Sequence, residues 1–265
     1  MVNIIIRKIK NQWRSILYYL AGLIGYSWMM IGVFPSMQKV DFQSYFNQMP
    51  KEFLKFFGDI NAQAYGTIEG FLSLEYLSFF FIIIIAFYVA ASAGSTIAGS
   101  IEKRTIDFDL SQPISRTKLL ISESLVSLAN TIILTFGTSY SIWILCKIYH
   151  ISISGKGIFA FALTATFFMW AIYGIAILVS SLLRTKMTVA AITLAFVLGF
   201  YVFFSLTNII DKLKNYDVLS IFYLYTNPQD LLKNGNINWT HVLILAAIFA
   251  IGLISSLVIF NKRDI

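Results

Sequence analysis

Charged side chains are absent from six long stretches of this chain: Ser15–Gln38, Tyr76–Ile101, Ser124–Cys146, Gly157–Leu183, Met187–Ile210 and Asn234–Asn261. A helix rises ~1.5 Å per residue and a bilayer's hydrocarbon core is ~30 Å thick, so ~17–25 mostly apolar residues are enough to cross it. A charge at the bilayer centre costs ~2.5–3.5 kcal/mol. Six uncharged gaps of this length are therefore read as six transmembrane helices, placed at about 15–38, 76–101, 119–146, 157–183, 187–210 and 240–261. Membrane strands would need short alternating segments, and runs such as Phe79–Ala86 do not alternate. The expected fold class is an all-α integral membrane protein, one transmembrane domain over residues 1–265.

Composition agrees. Of 265 residues, 58% are hydrophobic and 12% charged, with a mean hydropathy of +0.75. Soluble domains run ~45–50% apolar and ~25% charged, so polar residues here are too few to coat a water-facing surface. A disordered, collagen-like or disulfide-stapled chain is excluded as well. The single cysteine, Cys146, has no partner within the chain and says nothing about redox compartment.

Charge sets the orientation. With the N-terminus inside and six alternating spans, all six arginines (Arg7, Arg14, Arg104, Arg116, Arg184, Arg263) fall on the inner side. That side then holds twelve basic and five acidic residues, the outer side eight of each, so the whole net charge of +7 sits on one face. The short inner loops carry the bias that the positive-inside rule weighs. Both termini are expected in the cytoplasm, in a multi-pass protein of the cell membrane. The charge excess is accounted for by topology and anionic headgroups, and no nucleic-acid partner is implied. No small-residue cleavage site follows the first apolar run, so it reads as a retained helix, not a signal peptide.

Within Val2–Tyr18, Ile5, Ile9, Trp13 and Ile16 recur at helical spacing with Arg7, Lys10 and Arg14 between them. This predicts an amphipathic helix over residues 2–14 lying in the inner interface; the alternative is a plain extension of the first span. The outer loop 39–75 is aromatic, and Met49–Asp59 reads as a short helix begun by Pro50 and ended by Gly58. In the outer loop 211–233, Asn227 caps a short helix starting at Pro228. Either loop reads as a lid on the helix ends or as an outward gate. Ala90, Gly94 and Ala98, four residues apart, make a stripe for close backbone approach, either within the chain or between subunits.

The inner loop Glu102–Lys118 mixes both charge signs, and Thr105 can cap a short helix containing Ile106, Phe108 and Leu110 that ends at Pro113. A short charged helix with a few apolar residues suits docking into a groove of a soluble partner. The stretch resembles the signature of ABC-2 type transporter permeases, with Glu102, Thr105, Ile106, Asp107, Phe108, Leu110, Ser111, Pro113, Ile114, Ser115 and Arg116 matching without a gap. Arg104 stands where glycine is usual, and Asp109 replaces an apolar leucine on the presumed docking face. Six spans, an amphipathic N-terminal helix and the Pro50–Gly58 segment extend the likeness over essentially the whole chain.

The resemblance implies the membrane permease subunit of an ATP-binding cassette export system. Two such chains, identical or similar, would sit side by side above a pair of cytoplasmic ATPase subunits. Loop 102–118 would be the coupling helix, with Glu102, Thr105, Ile106, Asp107, Phe108, Leu110, Ser111, Pro113 and Arg116 as coupling residues. ATP and magnesium would belong to the partner, and this chain would hold no cofactor and no catalytic residue.

Nothing else in the chain carries chemistry. Gly94–Gly99 has the glycines of a phosphate loop, but Ser100 follows where lysine is required. His150 and His241 are isolated, so no metal site is expected. The polar residues of the spans are Asn130, Thr131, Thr135, Ser139, Thr164, Thr166, Ser180, Thr193 and Asn208; Ser and Thr satisfy themselves on the helix backbone. The absence of a mid-span carboxylate argues against a proton-coupled carrier. Glu123 reads as interfacial. The competing reading of the chain is a non-transporting membrane partner, sensor or immunity protein. An intramembrane enzyme would need clustered catalytic groups that the sequence does not offer.

Overall fold

Long uninterrupted runs of Leu, Ile, Phe and Ala leave the backbone no way to meet its hydrogen-bonding needs in lipid except within a helix, and helices are what the chain forms. The computed structural model describes residues 2–40, 44, 50, 62–104 and 115–263, and no strand occurs among them. In chain order the principal elements are α1 (Val2–Met37), α2 (Ile68–Leu72) running into a π-helical turn (Ser73–Leu77), α3 (Phe80–Thr96) and α4 (Ala98–Glu102). There follow α5 (Arg116–Ile148), α6 (Gly155–Leu182), α7 (Lys186–Ile209), a 3-10 segment (Asp211–Leu219), α8 (Ile221–Tyr225), α9 (Pro228–Asn234) and α10 (Trp239–Lys262).

Five helices are long and apolar enough to cross a membrane: α1 from Ile5, α5, α6, α7 and α10. The pair Ile68–Leu77 and Phe80–Thr96, bent by 42°, makes the count six where it is taken as one broken span. The stretch expected as a single span at 76–101 is thus part of a bent pair that begins earlier. The break lies at the π-turn, where the Ser78 N–H reaches back five residues to the Ser73 carbonyl at 3.0 Å; such a turn interrupts the regular ladder and is a known cause of kinks. The proposed division of the N-terminal region at residue 14 has no structural counterpart: Val2–Met37 is one continuous helix of 36 residues.

Caps mark where several helices start. Ser115, Ser154 and Asn238 each accept N–H bonds from the first turn of α5, α6 and α10. The expected helix at Pro228 is present, with Asn227 Oδ1 accepting the Gln229 N–H at 2.9 Å. It ends at Gly235, whose φ of +65° suits glycine.

The most buried span is α6, which packs against α10, α3 and α5. It meets α10 glycine to glycine: a Cβ on Gly174 would lie 2.7 Å from Phe249 Cα, and one on Gly252 would run into the Gly174 carbonyl. The Ala90/Gly94/Ala98 stripe forms a seam within the chain, since Gly94 abuts the Lys186 carbonyl of α7 and Ala98 donates its N–H to Ser180 Oγ on α6 at 3.2 Å.

Antiparallel alternation gives the bundle two chemically distinct ends. One collects the starts of α1, α5 and α7 and the ends of α4, α6 and α10, and with them all six arginines. The opposite end carries α8 and α9, which sit on the helix ends as a lid: Leu231 and Leu232 are buried, and Tyr225 donates to the Leu77 carbonyl at 3.1 Å. Phe222 and Tyr225 pack their rings on Phe168 of α6. The helix expected over Met49–Asp59 lies outside the described residues, apart from Pro50.

Candidate functional site

Two features meet at the arginine-rich end: the flanks of segment 102–118 and a polar network inside the bundle. Of the nine residues expected to couple to an ATPase, Thr105, Ile106, Asp107, Phe108, Leu110, Ser111 and Pro113 lie outside the described residues. Glu102 and Arg116, which bracket them, are described, and both are fastened to other helices.

Glu102 Oε2 accepts the backbone N–H of Lys186 at 2.8 Å, placing a carboxylate at the N-terminus of α7, where the helix dipole favours negative charge. Arg116 turns its guanidinium onto the last carbonyls at the end of α10: Nη1 donates to Phe260 O at 2.9 Å and to Arg263 O at 2.6 Å, with the Phe260 ring 5.6 Å away. Arg263 in turn donates to the Ser181 and Leu183 carbonyls at the end of α6, at 2.8 and 3.0 Å. The edges of the segment are thereby tied to α7, α10 and, through Arg263, α6. These bonds satisfy helix-terminal carbonyls that would otherwise lack donors.

Two turns into α5 stands Glu123. Sequence reading put it at the interface; the structure encloses it. Its Oε2 lies 3.1 Å from Lys8 Nζ, and their side chains are only 12% and 7% exposed. Lys8 also donates to Thr96 Oγ1 of α3 at 3.0 Å. A buried charge is tolerated only when it is paired and hydrogen-bonded, and here α1, α3 and α5 together supply the partners.

One turn deeper, Gln12 continues the same face of α1. Its Nε2 donates to Ser92 Oγ at 3.1 Å, and Ser92 and Ser127 share a 2.8 Å bond. Asn130 donates to Gln12 Oε1 at 2.8 Å and to the Tyr88 hydroxyl at 3.0 Å. Tyr173 of α6 joins the same network, donating to Ser124 Oγ of α5 at 3.1 Å. The polar core is therefore a run of side chains from four helices.

The other span residues divide. Thr131, Thr135, Ser139 and Thr166 bond the carbonyl four residues back, as expected, and Thr135 and Thr166 also join α5 to α6 at 2.6 Å. Ser180 holds Ala98, Asn208 is exposed, and the hydroxyls of Thr164 and Thr193 are buried without a partner. No group of three metal-ligating side chains occurs among the described residues.

Lys8, Gln12, Tyr88, Ser92 and Thr96 were not picked out from the sequence. The available signal was the spacing of Lys8, Gln12, Ser15 and Tyr19, a polar stripe down one face of α1. The apolar stripe Ile5, Ile9, Trp13 and Ile16 is not the inward face over its first turns: Ile9 and Trp13 are nearly half exposed and only Ile16 is buried, while Lys8 is buried.

A cavity of about 620 Å³ opens beside this network, between α1, α3, α5 and the start of α7. Its lining extends from Arg7, Lys103 and Lys186 at the arginine-rich end to Tyr19 and Tyr88.

The chain matches the family model described as ABC-2 family transporter protein over residues 6–265. No curated protein matches it. A bundle of five to six membrane-crossing helices with a match over nearly its whole length leaves one conclusion: the chain belongs to the ABC-2 family of transporter proteins, as a multi-pass membrane permease component.

Proposed function

We propose that the chain forms the substrate pathway of an export-type ATP-binding cassette system and is driven by a separate pair of cytoplasmic ATPase subunits docked on segment 102–118. In this reading the arginine-rich end faces the cytoplasm with both termini, and a second permease chain, identical or similar, completes the pathway. ATP and magnesium act in the partner; this chain supplies the levers.

The observation that carries the reading is the anchoring of the segment's two edges. Glu102 on α7 and Arg116 on α10 convert a displacement of the docked segment into movement of helices. The 33-residue helix α5 begins at Arg116 and, at ~1.5 Å per residue, extends the push across the bilayer. Through Glu123 and Lys8 it takes α1 with it. Such rigid-body coupling is how small local shifts become access changes.

The test is co-purification with an ATPase encoded beside this chain. Phe108→Asp or Leu110→Asp abolishes association while membrane insertion persists; undiminished association rejects the docking assignment. Labelling with a membrane-impermeant amine reagent leaves Lys103 and Lys118 unmodified in intact cells, and modification from outside inverts the topology.

A further inference from the structure

We propose that the α8–α9 lid and the bent pair Ile68–Leu77 and Phe80–Thr96 form one two-state latch: the seated lid holds the bend, and a lifted lid lets the pair straighten. The inference rests on the fold alone and goes beyond the permease reading. It stands whether or not an ATPase docks on segment 102–118.

No local sequence feature makes the bend. Neither proline nor glycine occurs from Phe71 to Val89, yet Phe79 at the corner has left the helical region, with φ −134° and ψ −65° against about −63° and −42° in a regular helix. Its side chain offers no cap to α3, and no side chain caps the start of the π-turn either. An apolar run of this kind meets its own backbone needs best as one straight helix. Contacts from elsewhere in the molecule therefore hold it bent.

Three of those contacts come from the lid. The Tyr225 hydroxyl, at the end of α8, donates to the carbonyl of Leu77, the last residue of the π-turn, at 3.1 Å. Ser73, whose carbonyl closes the π-turn, donates its hydroxyl to Asn227 Oδ1, the cap of α9, at 3.3 Å. Phe79 packs on Tyr201 of α7 with ring centroids 4.9 Å apart, and Tyr201 packs on Phe222 of α8 at 5.4 Å. A buried carbonyl at a helix break needs a donor, so losing the Tyr225 hydroxyl favours returning Leu77 to a continuous ladder. Between the two direct contacts lies Thr226, at φ +60° and ψ 143°. A β-branched residue holds such a conformation only where its surroundings impose it. Here they are the seated residues on either side and His241 of α10, whose Nδ1 lies 3.4 Å from the Thr226 hydroxyl. Lifting the lid releases that strain, so seated and lifted states oppose one another as a latch requires. From the bend, α3 leads through α4 to Glu102, which holds the start of α7. A change of bend at the lid-bearing end is thus passed along one path toward the arginine-rich end.

The experiment reads hydrogen exchange by mass spectrometry on the full chain in phosphatidylcholine nanodiscs. Three segments are compared: the lid over 221–234, the bend over 73–83 and the middle of α6 over 165–175. Y225F keeps the ring and removes the hydroxyl. Exchange is expected to quicken by about fivefold, the net worth of one hydrogen bond, with equal factors in lid and bend and none in α6. F79L acts from the other side. The described ring contacts of Phe79 are with Phe80 and Tyr201, yet exchange in the lid is expected to quicken together with that in the bend. Y223F, at an exposed position of α8, is the control and leaves both segments as they were. A Y225F effect confined to the lid, or an F79L effect confined to the bend, overturns the latch. So does exchange unchanged in both variants. Quickening that spreads equally over α6 marks general loosening and overturns it as well.

Discussion

The ammonium of Lys8 and the carboxylate of Glu123 meet at 3.1 Å inside the bundle, although 115 residues separate them in the chain. The pair joins the first turns of α1 to the first turns of α5, the helix that carries segment 102–118 into the membrane. Removing one partner of a buried ion pair leaves an uncompensated charge and costs about 3–5 kcal/mol, whereas replacing both with apolar groups of similar size is often near neutral. Glu123→Leu alone is expected to lower the thermal midpoint of the detergent-solubilised protein markedly, and Lys8→Met/Glu123→Leu to recover most of the loss. A midpoint unchanged by Glu123→Leu would show that the pair is not enclosed.

At the crossing of α6 and α10, Gly174→Ala forces a methyl to 2.7 Å from the backbone of Phe249. Backbone cannot yield as a flexible side chain does, so the helices must separate; overpacking of this kind costs about 1–3 kcal/mol. Gly199→Ala, on a face of α7 with nothing within 4 Å, is the matched control and leaves the midpoint in place. Equal behaviour of the two variants would refute the close crossing.

Arg116→Ala strips two carbonyls at the end of α10 of their donor. Hydrogen exchange over residues 258–263 is expected to rise severalfold, because charge-assisted bonds of this type contribute about 1.5–3 kcal/mol. Arg116→Lys restores one point of contact and recovers protection only in part. Arg14→Ala, at an exposed site on α1, changes nothing in this segment.

Tyr65 donates its hydroxyl to Glu75 Oε1 at 2.5 Å near the lid-bearing end. Burial, and then the neighbouring carboxylate, raise the phenol's pKa above its ordinary value of about 10. The folded state therefore holds this proton more tightly than the unfolded one. The contribution is fully present below pH ~10 and is lost as pH rises above that value. The stability difference between the wild type and Tyr65→Phe should shrink as the solution is made alkaline beyond pH 10, measured by denaturant unfolding at fixed detergent. A difference constant through that window contradicts the bond.

Much of the architecture was legible without coordinates. The uncharged stretches match the membrane-crossing helices to within a few residues at α6 and α7, and Asn227–Pro228 announced α9. Two features were not. The 42° break between the π-turn and α3 falls at Ser78–Phe79, where no proline or glycine marks it. The glycine crossing of α6 and α10 pairs Gly174 with Gly252; Gly252 and Ser256 stand four apart on α10, but Gly174 is flanked at four residues by Trp170 and Leu178, so the partner face on α6 is not advertised.

The sequence by itself determined which stretches form the long apolar helices of the bundle. That depends on transfer of individual side chains between water and lipid, a cost that is local and nearly additive along the chain. Only the tertiary structure decided which side of each helix looks inward. Lipid tails are as apolar as leucine, so no hydrophobic contrast separates the buried face of a membrane helix from its lipid-facing one. What turned α1 was the need of Lys8 and Gln12 for partners, and those partners, Glu123 and Asn130, are more than a hundred residues away.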